Sequence, residues 1–312
     1  MPGIVFVFPG QGSQYVGMGR ELADRYPEAA AVFQEAEAAL GRPLARLCFN
    51  GPAEELTLTE NTQPAVLTVS VACYRVLQAH GVVPAAVAGH SLGEYSALVA
   101  AGSLTFAEAV KLVAKRAQLM ATAVPAGQGG MAAVLGLDAE KVVTLCREVK
   151  EGTVEAANFN APGQVVVAGD RQGLSSLTRL AKEAGAKRVI PLQVSGPFHS
   201  SLMAPAAREL ADVLQKVPLA DPVVPLVSNV TADYVYTAAA VRENLVKQVA
   251  SPVRWEEGIR RLVEDGYHTF VEVGPGNVLS GLIKRIDRRA VVGQVENIET
   301  LEKTLALLQE AK

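Results

Sequence analysis

The 312-residue sequence is short of cysteine, histidine and aromatic side chains, with 3 Cys, 4 His, 1 Trp and 5% aromatics in all. Cys48, Cys73 and Cys146 are odd in number and lack C-x-x-C spacing, so they make neither a disulfide framework nor a zinc site. Unpaired thiols predict a reducing, cytoplasmic compartment. No apolar run approaches the ~20 residues of a membrane span. The start Met1-Pro2-Gly3 has no basic segment of the kind that opens a signal peptide. Charge of one sign is lacking too. A net charge of -3 gives no global attraction to nucleic acid or an anionic membrane, so neither is expected as a partner, and a charged partner must meet a local patch. What remains, 49% hydrophobic and 20% charged, is the balance of a globular chain with material for one large or two modest cores.

The segment Ala86-Val87-Ala88-Gly89-His90-Ser91-Leu92-Gly93-Glu94 joins a short apolar run to a helix-forming stretch through G-x-S-x-G. This spacing reads as a nucleophile elbow, in which a sharp strand-to-helix turn lifts one serine clear of the backbone. Gly89 and Gly93 are small because a Cβ there would meet the neighbouring chain. The N–H of Leu92, at the helix start, then points where negative charge develops on a substrate carbonyl. A tight Gly-rich turn with an incidental serine is the plainer alternative, and the rest of the chain decides between them.

Ile4 to Phe8 has the continuous apolar character of a buried parallel strand, ending in the backbone-rich loop Pro9-Gly10-Gln11-Gly12-Ser13-Gln14. That loop lacks both G-x-G-x-x-G spacing and a Walker lysine, which discounts nucleotide binding. Helical patterns cover Glu21 to Leu40, with a restart at Pro27, and Pro64 to Ala79. After the elbow, Thr105 and Glu108 form a capping box for a helix to about Ala121. Its apolar stripe runs through Phe106, Ala109, Val110, Val113, Ala117 and Met120, with Arg116 on the border. From geometry alone Arg116 reads as a snorkelling surface side chain, with an inward turn beside Met120 as the alternative.

The Gly-rich break at 125–130 opens a segment reading β-α-β-β-α-β: strands 131–137, 154–158, 165–168 and 188–194, with helices begun by Asp138 and Asp170. This predicts a ferredoxin-like insert over 126–195 within a catalytic domain made of 1–125 and 196–312. The remainder alternates strand (223–227, 269–273, 290–295) with helix, which predicts an α/β fold with a mostly parallel sheet covered on both faces.

A serine hydroxyl at neutral pH needs a general base, and histidine is the usual one. His80 ends a helix, His90 adjoins Ser91 on diverging side chains, and His268 sits at a strand's solvent end. His199, on the Gly196-Pro197-Phe198-His199-Ser200 turn, is the one a loop can deliver to the sheet's carboxyl edge. No carboxylate is placed to orient it, since Asp170 and Asp212 read as a helix cap and an exposed helix position.

Seven segments taken together, Phe8 to Gln14, Asn61 to Ala65, Gly89 to Tyr95, Arg116, Asn158-x-Asn160 with Pro162-Gly163-Gln164, Gly196 to Ser200 and Val273 to Gly276, resemble the malonyl-CoA:acyl carrier protein transacylase family over essentially the whole chain. The resemblance implies a serine hydrolase-like α/β domain carrying a ferredoxin-like insert. It implies that Ser91 is the acylated nucleophile and His199 the base, oriented by the backbone carbonyl of Gln248 where other enzymes use an aspartate. Gln11 and Leu92 supply oxyanion N–H groups, and Gln63 and Phe198 line the substrate. Arg116 pairs with the malonyl carboxylate, which reverses the surface reading. Coenzyme A enters as a substrate thioester, with no metal or redox cofactor, and the second substrate is an acidic acyl carrier protein. For that carrier the basic pairs Lys187-Arg188 and Lys284-Arg285 are expected to flank the mouth of the site. An esterase or thioesterase with the same elbow needs an acid between Ser91 and His199 and leaves Arg116 without a role. A carrier-docking module without catalysis has no use for a Gly-flanked serine.

Overall fold

The computed structural model describes residues 3–125 and 127–310. Met1 and Pro2, and Ala126, the first position of the expected insert, lie outside the described residues.

Among the described residues ten strands form two sheets: β1 Val5–Phe8, β2 Ala86–Gly89, β3 Gly129–Leu135, β4 Val154–Ala161, β5 Gln164–Asp170, β6 Arg188–Pro191, β7 Leu226–Val227, β8 Tyr234–Val235, β9 Thr269–Val273 and β10 Val291–Val295. The six-stranded sheet has the order β10-β9-β1-β2-β7-β8, parallel except for the last pair. β1 and β2 are buried along their whole length, as sequences without polar alternation must be when helices cover both faces. The second sheet, β4-β5-β3-β6, is antiparallel throughout. Counted within that segment its strand order is 2-3-1-4, the ferredoxin-like arrangement. The helices Ala139–Glu148 and Arg171–Glu183 complete it, the latter capped by Asp170, whose Oδ1 accepts the Gly173 N–H at 2.7 Å.

The helix Thr59–Ala79 is buried over most of its length, and polar residues on its inner faces, Thr59, Thr62 and Gln63 among them, are buried with it, while Glu60 and Arg75 are exposed. It begins five residues before the start expected at Pro64. Proline inside a helix leaves the carbonyl four residues back without its donor. Here that carbonyl belongs to Glu60, and the Arg42 guanidinium donates to it at 3.0 Å, so the helix runs through. The strand expected over 223–227 shortens to two residues because Pro222 and Pro225 have no N–H to give a ladder. β8 and the short helices Leu44–Asn50 and Ala53–Thr57 were not expected at all.

Topology already assembles a site. Phe8 of β1 pairs in register with Gly89 of β2, so the loop after β1 and the Ser91 turn leave the sheet side by side at its carboxyl edge. The residues after β7 and β9 join them at the same edge. The two sheets meet where β4 runs beside Val253, whose N–H donates to the Ala157 carbonyl and whose carbonyl accepts from Phe159 N–H, both at 2.9 Å.

Candidate active site

The Ser91 turn is as tight as its glycines imply. A Cβ on Gly89 would stand 2.0 Å from the Gly93 carbonyl carbon, and one on Gly93 2.0 Å from the Phe8 carbonyl oxygen. Ser91 itself takes φ 52°, and His199 takes φ 60°, left-handed conformations that cost a non-glycine residue ~1–3 kcal/mol. Both are held there by neighbours. Asn229, just after β7, accepts the Ser91 N–H at 2.7 Å through Oδ1 and donates from Nδ2 to the Gly89 carbonyl at 2.6 Å.

Ser91 Oγ lies 2.6 Å from His199 Nε2, and His199 Nδ1 lies 2.8 Å from the Gln248 carbonyl oxygen. With Nδ1 donating to that carbonyl, Nε2 is the free base facing the hydroxyl. Burial first, and then the Arg116 guanidinium, lower the His199 pKa to about 3, so the imidazole is neutral at physiological pH. His90 instead sets Nε2 2.8 Å from Asn160 Oδ1 and packs its ring on Trp255. His80 closes its helix onto the Val76 carbonyl, and His268 faces Asp287 at the surface. Of the four, His199 alone reaches the serine.

Arg116 is 1% exposed, so the snorkelling reading is wrong: the side chain turns inward from the stripe's border. Its Nη1 donates to Gln63 Oε1 at 2.6 Å, and its Nη2 donates to Gln248 Oε1 at 2.9 Å and to Ser91 Oγ at 3.2 Å. Tyr95 offers its ring face 5.3 Å from the guanidinium carbon. Among the described residues no carboxylate pairs with Arg116, and its buried Nε has no acceptor. A buried guanidinium held by neutral oxygens keeps an unneutralised positive charge beside the serine, which an anion can pair with.

Gln11 donates from Nε2 to Thr59 Oγ1 at 3.1 Å, and Thr59 Oγ1 lies 2.9 Å from Ser195 Oγ, which ties down the loop after β1. Among the described residues the backbone N–H groups of Gln11 and Leu92 donate to no protein acceptor. These groups open on a cavity of about 420 Å³. Gln63, Phe198 and Leu279 line it from the sheet side, and Met131, Asn160 and Leu192 from the four-stranded side.

None of the four expected docking cations lines this cavity. Lys284 donates to the Ala290 carbonyl at 2.6 Å, and Arg285 donates to Gln164 Oε1 and to the Pro162 carbonyl. Arg285 thereby ties its helix to the turn between β4 and β5, and Lys284 ties it to the residue before β10; both side chains are exposed, and their neutral oxygen partners leave the charge intact. Lys187 and Arg188 are exposed but sit at the far end of β6 from Leu192.

Two residues of the cluster, Glu94 and Asn229, belong to no expected site. Glu94 looks like an ordinary acidic residue in a helix's first turn, and Asn229 follows a strand of only two residues.

The chain matches the acyl transferase domain family over residues 5–306. It is 51% identical over 312 residues to the malonyl CoA-acyl carrier protein transacylase of Bacillus subtilis (strain 168), covering 99% of this chain and 98% of that one. The crystal structure of an acyl-carrier-protein S-malonyltransferase from Burkholderia pseudomallei 1710b superposes with a TM-score of 0.95 at 49% identity, covering 97% and 99% of the two chains. A malonyl-transacylase solved in complex with its type II PKS acyl-carrier protein gives 0.95 at 44% identity, covering 99% of each.

Proposed function

Since the chain belongs to the acyl transferase family, in its malonyl CoA-acyl carrier protein transacylase branch, we propose that it moves a malonyl group from malonyl-CoA to the phosphopantetheine thiol of an acyl carrier protein, supplying fatty acid synthesis. One observation carries the reading: a single oxygen, Ser91 Oγ, is within hydrogen-bond distance of both the base His199 Nε2 and the anion-seeking Arg116 Nη2.

Ser91 Oγ attacks the thioester carbonyl as its proton passes to His199 Nε2. The imidazolium is stabilised through Nδ1–H by the Gln248 carbonyl, in the place an aspartate takes in other serine enzymes. The N–H groups of Gln11 and Leu92 face the oxyanion, where loss of one such donor typically costs ~10²–10³ in rate. Collapse breaks the C–S bond, and His199 returns the proton to the departing coenzyme A sulfur. The carrier thiol then gives its proton to His199 and attacks the acyl-serine, so the two half-reactions share one geometry. Arg116 grips the malonyl carboxylate, which sits one methylene from the reacting carbonyl, and Gln63 holds the guanidinium in place. Phe198 and Leu92 restrict the space at the malonyl α-carbon. Every step uses side chains and amides of this chain, so the reaction as written needs no metal or redox cofactor.

We read residues 126–195 as an inserted subdomain that walls the cleft. Lys187, Arg188, Lys284 and Arg285, all exposed, are the contacts we assign to the carrier's acidic surface. Three free cysteines fit a cytoplasmic, reducing compartment. The scheme is tested by initial rates with both substrates varied, which should give the parallel double-reciprocal lines of a ping-pong transfer. Intersecting lines, or transfer to a carrier lacking its phosphopantetheine, would refute it.

A further inference from the structure

Glu94 is 2% exposed, pairs with no cation among the described residues, and has no part in the steps above. A buried carboxylate with no cation in contact is costly, so its hydrogen bonds indicate what it is kept for. Oε2 accepts the Gln248 Nε2–H at 2.7 Å and the Asn229 N–H at 3.1 Å. The second Nε2 proton of Gln248 goes to the Ser91 carbonyl at 3.0 Å, and its Oε1 accepts from Arg116.

A glutamine amide is nearly symmetric in shape but not in chemistry. Turned end for end, Gln248 would face its NH₂ to the Arg116 guanidinium and its oxygen to two acceptors, the Ser91 carbonyl and the Glu94 carboxylate. Of those two the carboxylate is the one that can carry charge, so it fixes the outer end of the amide as the Arg116 guanidinium fixes the inner one. The backbone carbonyl that orients His199 is fixed separately by the helix Ala238–Val249, and a turned side chain need not move it.

We propose that Glu94 is a positioning residue for donor choice: by fixing which end of the Gln248 amide faces inward, it aims Arg116 at the carboxylate of a malonyl donor. The proposal rests on the assignment of Arg116 as the malonyl partner. Burial pushes the Glu94 carboxyl up to about 7, so the near-isosteric amide of E94Q removes a desolvation cost and is expected to fold.

The test measures loading of Ser91, as coenzyme A release, from malonyl-CoA and from acetyl-CoA, in the wild type, E94Q, E94D and Arg116→Ala. For E94Q the malonyl-CoA KM should rise about tenfold, the scale of one charge-assisted hydrogen bond, while acetyl loading stays within about threefold and Tm does not fall. E94D keeps the charge but withdraws it by one methylene from Gln248 Nε2, so the malonyl-CoA KM should rise there too while acetyl loading stays within about threefold. An E94Q enzyme in which both donors slow together, or neither changes, would overturn the proposal. If E94Q does not fold, E94D decides: both donors slowing together, or neither changing, would overturn it. Arg116→Ala separates the two assignments. A raised KM there beside an unchanged one in E94Q removes Glu94 alone, whereas an unchanged KM in Arg116→Ala removes both.

Discussion

The two walls of the cleft are built to different rules. On the sheet side, Gln63, Arg116, His199, Gln248, Glu94 and Asn229 are all less than 9% exposed and joined by hydrogen bonds from the Ser91 turn outward. On the four-stranded side the lining is mostly apolar, with Met131 and Val166 buried and Leu192 36% exposed at the rim. Chemistry needs donors and acceptors placed to within a fraction of an ångström, so it is assembled from strand ends and helices of a parallel sheet. A covering wall needs shape, and an antiparallel sheet packed on one side supplies that with fewer constraints.

Substitutions should reproduce the contrast. His199→Ala on the sheet wall is expected to slow loading of Ser91 by ~10⁴-fold or more from either donor, since nucleophile and base act as a unit. Measured coenzyme A release within tenfold of the wild type would break the assignment. Leu192→Ala on the opposite wall should change the same rate by no more than about threefold, because a half-exposed side chain contributes area rather than aim. A loss there as large as at His199 would show that the four-stranded side does chemistry too.

Much of this was legible in the sequence, and what was not has a physical reason. The Ser91 turn announced itself because two glycines at fixed spacing answer a steric demand. The second sheet was readable from Asp138 and Asp170, each placed to begin a helix after a short apolar strand. Arg116 was not, because a residue on the border of an amphipathic stripe can turn either way. Only the resemblance chose correctly. Pro64 hid the first turn of its helix, since the arginine that satisfies the freed Glu60 carbonyl lies 18 residues earlier. Glu94 and Asn229 act through contacts 135 residues apart, which no local pattern registers.

The pH dependence gives a smaller but sharper effect. Because burial and Arg116 favour the neutral imidazole, kcat/KM for acetyl-CoA should vary by no more than about twofold between pH 8 and pH 5, where a base at the ordinary pKa of ~6.5 would lose about 30-fold. The loss should come only as pH falls towards the His199 value of about 3. Stability moves with the same sign. Unfolded His199 takes a proton below about 6.5 while the folded side chain does not, so its contribution weakens as pH falls from there to about 3. An acid limb in kcat/KM near 6.5 would mean that the imidazole is not shielded as described.

The central claim, that Ser91 carries the acyl group between two half-reactions, is tested most directly by mass. The intact protein is weighed after exposure to malonyl-CoA and again after addition of the pantetheinylated carrier, with peptide mapping of the adduct. The expected result is one malonyl group on the peptide containing Ser91, lost to the carrier thiol and absent in Ser91→Ala. An adduct on another residue, or transfer to the carrier by Ser91→Ala at the wild-type rate, would contradict the account.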